Sequence, residues 1–153
     1  MKTITLEAFT IVGIAIRTTN EQMQAATDIP ALWKRFFEEG IAGSIQHKAD
    51  EELYCLYTDY ESDFTKPYTA VLGYRVTQVD MLTPQLTAFT VPEKTYRVFT
   101  ASGNLNEGAV FGEWTKIWNT HMNRAYTGDF EIYGAKAQNT EKAEVDIFIA
   151  LTN

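Results

Sequence analysis

Several things are scarce in this chain, and each scarcity removes a class of function. Cysteine occurs once, as Cys55, so no intramolecular disulfide can form and a reducing cytoplasm is the expected compartment. No apolar run approaches the roughly 18 residues that a membrane-spanning helix needs. The amino terminus, Met1-Lys2-Thr3, runs directly into an alternating strand without the apolar core of a signal peptide. Basic residues are outnumbered, for a net charge of −7. Nucleic-acid binding driven by counterion release is therefore disfavoured, and a cationic ligand is favoured. The two histidines, His47 and His121, are far apart and lack the spacing of zinc ligands, so no metal is expected. No Gly-x-Gly-x-x-Gly, P-loop or Gly-x-Ser-x-Gly motif is present, and nothing calls for a cofactor. The acidic run Asp50-Glu51-Glu52 reads as a solvated connector, and Cys55 as a small buried apolar residue.

What is abundant is aromatic. Phe, Trp and Tyr make up 13% of 153 residues, and eight of them are tyrosines, which suit walls that are apolar and can still hydrogen-bond. The richest stretch is FGEWTKIWNTHMNRAYTGDFEIY, residues 111–133. Phe111, Trp114, Trp118 and His121 recur with helical spacing on one face. After the turn-prone Thr127-Gly128-Asp129 comes a short strand with a carboxylate, Glu131, between Phe130 and Ile132. Strand alternation puts Asp129, Glu131 and Tyr133 on one face and Phe130 and Ile132 on the other. If helices cover the Phe130 face, the Glu131 face meets either solvent or a cleft. Isolated strand charges usually meet solvent. In an aromatic cleft, Glu131 would instead neutralise an organic cation or act as a general acid or base.

In chain order, residues 3–17 read as a long first strand bent near Gly13. A helix over 28–40 follows, with Asp28 as cap, Pro30 in its first turn, and Ile29, Leu32, Trp33, Phe36 and Phe37 as its apolar stripe. Residues 41–52 are a polar connection; 53–60 and 68–77 form a hairpin; 78–94, with Pro84 and Pro92, look like a connector. A strand at 95–101, a helix at 107–123 and strands at 129–134 and 143–151 complete the chain. The order is βαββ twice, repeating after about 75–80 residues, longer than a solenoid period. Leu32–Phe37 echoes Glu113–Trp118, and Leu53–Tyr57 echoes Asp129–Tyr133. The expected fold is therefore α+β, a single domain of two pseudo-symmetric βαββ repeats (about 3–77 and 93–151), with a ligand cleft where the halves meet. Most helix-stripe aromatics are expected in the core. Tyr57, by symmetry with Tyr133, and Phe148, on the Asp146/Ala150 face of the last strand, are cleft candidates.

The succession YTAVLGYRV, VPEKTYRVFTASGN, FGEWTKIWN, GDFEIY and VDIFIAL, preceded by EAFTIVGIAIRTTN and IPALWKRFFEE, resembles the GyrI-like small-molecule-binding domain, also called the bacterial transcription activator effector-binding domain. The resemblance covers almost the whole chain. It implies the same tandem βαββ fold. It implies one of several roles: effector domain of a multidrug-responsive regulator, standalone drug-binding protein, gyrase inhibitor, or hydrolase of reactive cyclopropane-bearing compounds. The family's glutamate falls on Glu131, in Phe130-Glu131-Ile132-Tyr133, at the base of an aromatic pocket for lipophilic cations. Its tryptophan pattern falls on Trp114 and Trp118. One departure is Ala150, where the family often has proline. With no room for a helix-turn-helix unit, the expected function is standalone binding of amphipathic, cationic small molecules. Glu131, Tyr133, Trp114, Tyr57, Phe148 and Trp118 are the expected ligand residues. The alternatives are a hydrolase using Glu131 and Tyr133, and an inhibitor acting on a protein partner such as gyrase or a separate regulator.

Overall fold

The computed structural model describes residues 2–152. Alternating apolar residues build eight strands in one antiparallel sheet: β1 (Lys2–Leu6), β2 (Phe9–Thr18), β3 (Lys48–Thr58), β4 (Tyr68–Val76), β5 (Thr87–Val91), β6 (Lys94–Gly103), β7 (Gly128–Tyr133) and β8 (Ala143–Ala150). Two amphipathic helices, α1 (Ala25–Glu38) and α2 (Ala109–Trp118), lie against it. The strand order is β1-β6-β8-β7-β3-β4-β2-β5. Read outward from the centre, β3-β4-β2 on one side matches β7-β8-β6 on the other, which is the expected tandem repeat.

The two edge strands are exchanged between the halves: β1 leads into β2 but pairs with β6, and β5 leads into β6 but pairs with β2. This exchange forces the sheet to curl. In a flat sheet β1 and β2, six strand spacings apart, would be separated by roughly 29 Å, yet Leu6 and Phe9 are joined by a link that spans about 10 Å at most. The pairing is in register on both sides of the link, Leu6 with Lys94 and Phe9 with Val91. Residues 2–18 and 87–103 thus behave as two long strands paired antiparallel in one continuous register. The curl is also visible in side chains. Phe9 on β2 meets Phe130 on β7, three strands away, at a ring separation of 5.4 Å.

Both faces of the sheet are consequently buried. The face toward which it curls holds Phe9, Ile11, Tyr54, Leu56, Val71, Val91, Tyr96 and Phe130. The opposite face carries the helices. There α1 packs over β2 and β4 and buries Leu32 and Phe36, while α2 packs over β6 and buries Trp114 and Ile117.

Several sequence expectations are corrected. The break in the first strand falls at Glu7-Ala8 rather than Gly13. Gly13 is needed for another reason, a close approach. A Cβ there would lie 2.1 Å from the Leu72 carbonyl oxygen on β4. Helix α1 begins at Ala25, so Asp28 is not its cap. Asp28 sits within the first turn and accepts hydrogen bonds from Thr18 Oγ1 and Gln24 Nε2, both at 2.9 Å. Pro30 then lies inside the helix, where it leaves the Ala26 carbonyl without its usual amide donor. Helix α2 stops at Trp118, and Asn119 and Thr120 bond back to its last carbonyls, so exposed His121 is not on its stripe. Strand β5 lies in the stretch expected to be a connector, and β3 begins at Lys48 within the expected polar connection.

Candidate functional site

The face question has a clear geometric answer. Glu131 faces the helices, and Phe130 faces the inside of the curl. The helices therefore cover the Glu131 face and not the Phe130 face, which the curled sheet covers by itself. Between α1, α2 and the central strands β3 and β7 lies a cavity of about 500 Å³, within the range of sites for drug-sized ligands. Glu131 is at its base and only 1% exposed.

Three neutral donors hold the carboxylate. Tyr57 Oη donates to Oε2 at 2.9 Å, Trp114 Nε1 to the same oxygen at 2.6 Å, and Tyr133 Oη to Oε1 at 2.6 Å. Burial pushes the Glu131 carboxyl above its ordinary value of 4.5, and the three hydrogen bonds pull it partway back. Burial, with Glu131 and other neighbours adding to it, drives the Tyr57 and Tyr133 phenols well above 10, so both remain donors.

The local symmetry explains this arrangement. Cys55 and Glu131 are direct cross-strand partners at the centre of the β3–β7 pair. They occupy equivalent positions in the Leu53–Tyr57 and Asp129–Tyr133 echo, so the pseudo-two-fold axis passes between them. Tyr57 and Tyr133 approach the carboxylate from the two halves. Each is backed edge-on by a helix tryptophan, Tyr57 by Trp114 at 5.4 Å and Tyr133 by Trp33 at 4.8 Å. The one asymmetric element at the axis is the charge. Cys55 is fully buried, as expected of a small apolar residue, and burial pushes its thiol up.

Of the sequence-predicted residues, Glu131, Tyr133, Tyr57, Trp114 and Trp118 all line the cavity. Phe148 does not. Its ring stacks on Phe130 at 4.7 Å on the other face, with Tyr96 at its edge. The strand parity assigned to Phe148 holds; the side assigned to the cleft was the wrong one. Trp33 and Phe111, expected in the core, are cavity walls, and Phe37 is 64% exposed, which leaves Phe36 as the core phenylalanine of α1. Sequence reasoning also missed Tyr60, Phe64 and Arg124 in the wall. Trp33 was within reach through its echo with Trp114. Phe64 comes from the turn-rich 61–67 segment and stacks on Trp118 at 5.5 Å, a loop-to-helix contact that periodicity does not encode.

Beside the carboxylate is a second buried network. Asp129 Oδ2 accepts from Arg124 Nη2 at 2.7 Å and from Tyr60 Oη at 2.6 Å, and its Oδ1 accepts from the Ala150 amide at 2.8 Å. His47 bonds Asp80 on the surface. Among the described residues no group of three or more His, Cys, Asp or Glu side chains could hold a metal, and no helix is long and apolar enough to cross a membrane.

A family model for Cass2, the integron-associated effector-binding protein, matches residues 3–151. The chain belongs to the Cass2 family. Its curled sheet, two helices and cleft are those of GyrI-like effector-binding domains, as the sequence resemblance implied, and the family role is the binding of a small-molecule effector. This Cass2-family chain is 31% identical over 144 residues to YobU of Bacillus subtilis strain 168, named as a candidate transcriptional regulator; the match covers 91% of this chain and 89% of YobU. Its fold matches the integron cassette protein VCH_CASS2 from the mobile metagenome of Vibrio cholerae, with 30% identity, a TM-score of 0.76, and 99% and 95% of the two chains covered. It also matches SAV2435, solved bound to tetraphenylphosphonium, with 21% identity, a TM-score of 0.81, and 99% and 93% covered.

Proposed function

We propose that the protein binds amphipathic organic cations in this cavity, with Glu131 as counter-charge and the Tyr57, Tyr133, Trp33, Trp114 and Trp118 rings as walls. One observation carries the reading: a fully buried carboxylate that has no cation. None of the ion pairs among the described residues includes Glu131. Its hydrogen-bond donors are all neutral, so they satisfy its lone pairs and leave its charge. A buried charge without a counterion is costly. A lipophilic cation entering an apolar cavity supplies the missing charge, and each well-placed ring adds about 0.5–2 kcal/mol of cation–π attraction. The bound tetraphenylphosphonium of SAV2435 is a ligand of this chemistry on the same fold. The cytoplasm, with no nucleic-acid partner, is the setting we propose, in keeping with a net charge of −7 and a lone buried cysteine.

A hydrolytic reading would ask the same carboxylate to take a proton from water. Three donors already engage it, and binding is what the geometry favours.

The test is a fluorescence titration with tetraphenylphosphonium and with neutral triphenylphosphine oxide. All three tryptophans line the cavity and report on occupancy. Saturable quenching at one site that favours the cation is expected. Equal affinity for the two compounds, or no saturation by the cation, would overturn the proposal.

A further inference from the structure

The carboxylate that anchors the cavity is also sealed. Glu131 is 1% exposed, although it stands at the base of a space of about 500 Å³. Tyr57 Oη and Trp114 Nε1 donate to Oε2, Tyr133 Oη donates to Oε1, and the same three side chains line the cavity. One acceptor direction is left on Oε1. With so little exposure, no ligand nitrogen comes within the roughly 3 Å of a hydrogen bond unless one of these three side chains gives way. The charge of Glu131 reaches into the cavity, and its lone pairs do not.

The rest of the wall has little for a donor. Asp129 has both oxygens filled, by Tyr60, Arg124 and the Ala150 amide. Asn20 Oδ1 accepts from Tyr68 Oη at 2.7 Å. The Ala26 carbonyl that Pro30 leaves free belongs to an exposed residue of α1, not to the base. Beside Glu131 there remain the phenol oxygens of Tyr57 and Tyr133, which are neutral and have spent their protons on the carboxylate.

This distinguishes two kinds of cation. A protonated primary amine carries three N–H donors that water satisfies outside. At the base of the cavity most of them would be unmade, and buried charged donors are the most expensive to leave so. A cation without N–H makes no such demand. It needs only the Coulomb attraction of Glu131 and the faces of the rings, neither of which requires contact with the carboxylate.

We propose that the cationic centre of the preferred ligand has no N–H: a quaternary ammonium, a phosphonium, or a delocalised aromatic cation whose nitrogens are fully alkylated. This rests on the cation-binding reading of the cavity and narrows it to a ligand class that excludes protonated primary amines.

The experiment measures displacement of tetraphenylphosphonium by (naphthalen-1-ylmethyl)trimethylammonium and by naphthalen-1-ylmethylammonium, at a pH where the amine is charged. The three methyl groups add apolar surface of their own. Their contribution is taken from the neutral carbon isosteres, 1-neopentylnaphthalene and 1-ethylnaphthalene. The trimethylammonium compound is expected to bind tighter than the primary ammonium by about tenfold more than the neutral pair differs. Crystal structures of the two cation complexes give a second readout: all three donors should remain on Glu131, with no ligand nitrogen within hydrogen-bonding distance of the carboxylate. A ratio no larger than that of the neutral pair, or tighter binding of the primary ammonium, would overturn this inference and leave the cation site standing. So would an ammonium nitrogen bonded to Glu131 in place of Tyr57, Trp114 or Tyr133, or failure of the trimethylammonium compound to compete. Failure of tetraphenylphosphonium itself to bind would overturn the cation reading and this inference together.

Discussion

Replacing Glu131 with Gln keeps the shape of the side chain and removes its charge. The amide oxygen can accept from Trp114 and Tyr57 in place of Oε2, and the amide nitrogen can donate to Tyr133, whose hydroxyl turns to accept. Packing should survive, so the effect isolates electrostatics. With Glu131 only 1% exposed, salt screens it little. A carboxylate and a cation about 5 Å apart attract by roughly 3 kcal/mol at an effective dielectric near 20, which is about a hundredfold in Kd. We therefore expect Glu131→Gln to weaken tetraphenylphosphonium binding about a hundredfold, and triphenylphosphine oxide by less than about twofold. Without ligand the same substitution should hold or raise the melting temperature at pH 7, because burial disfavours the ionised carboxylate. Calorimetric titration and thermal melts measure both. Equal losses for the cation and the neutral compound would show that Glu131 shapes the cavity and does not act through its charge. A large fall in melting temperature would refute the claim that its charge is uncompensated.

Four further outcomes follow from the structure. Cation affinity should be flat above the raised pKa of Glu131 and fall with each pH unit below it, since protons then compete with the ligand for the carboxylate; a pH series of titrations should show this in wild type and not in Glu131→Gln. Because this acid's folded pKa is raised, the folded apo-protein holds more protons than the unfolded chain between 4.5 and the raised value, so this group's contribution to stability should decline as pH rises through that window. Tyr133→Phe removes a 2.6 Å donor, should lift the Glu131 pKa further, and should move the acid limb of binding to higher pH. Gly13→Ala sets a methyl against the β4 backbone and should cost about 3 kcal/mol or more in denaturant melts, whereas Gly43→Ala, with open space around it, should cost little.

Much of this site could be read from residue order, and the errors share one origin. Alternation in GDFEIY correctly placed Glu131 and Tyr133 together, and the echo of Leu53–Tyr57 correctly added Tyr57. Alternation does not say which side the helices take, and that depends on the curl of the whole sheet. Phe148 was assigned to the cleft for this reason, and lies against Phe130 inside the curl. The helix stripes were legible as apolar, but Trp33 and Phe111 line a cavity because the helices stand on separate halves and leave a gap between them. Strand β5 was hidden because it is a short edge strand, mostly exposed, whose partner β2 belongs to the other repeat. Arg124 carried no signal at all. It follows the end of α2 in an irregular segment, and its meaning depends on Asp129 and the cavity wall.

The most direct test of the central claim is a crystal structure of the protein soaked or co-crystallised with tetraphenylphosphonium. The account predicts the cation inside the cavity, its phenyl groups against Trp33, Tyr57, Trp114 and Tyr133, and its positive centre facing the Glu131 carboxylate. A cavity left empty at saturating ligand, or a cation bound elsewhere on the acidic surface, would contradict it.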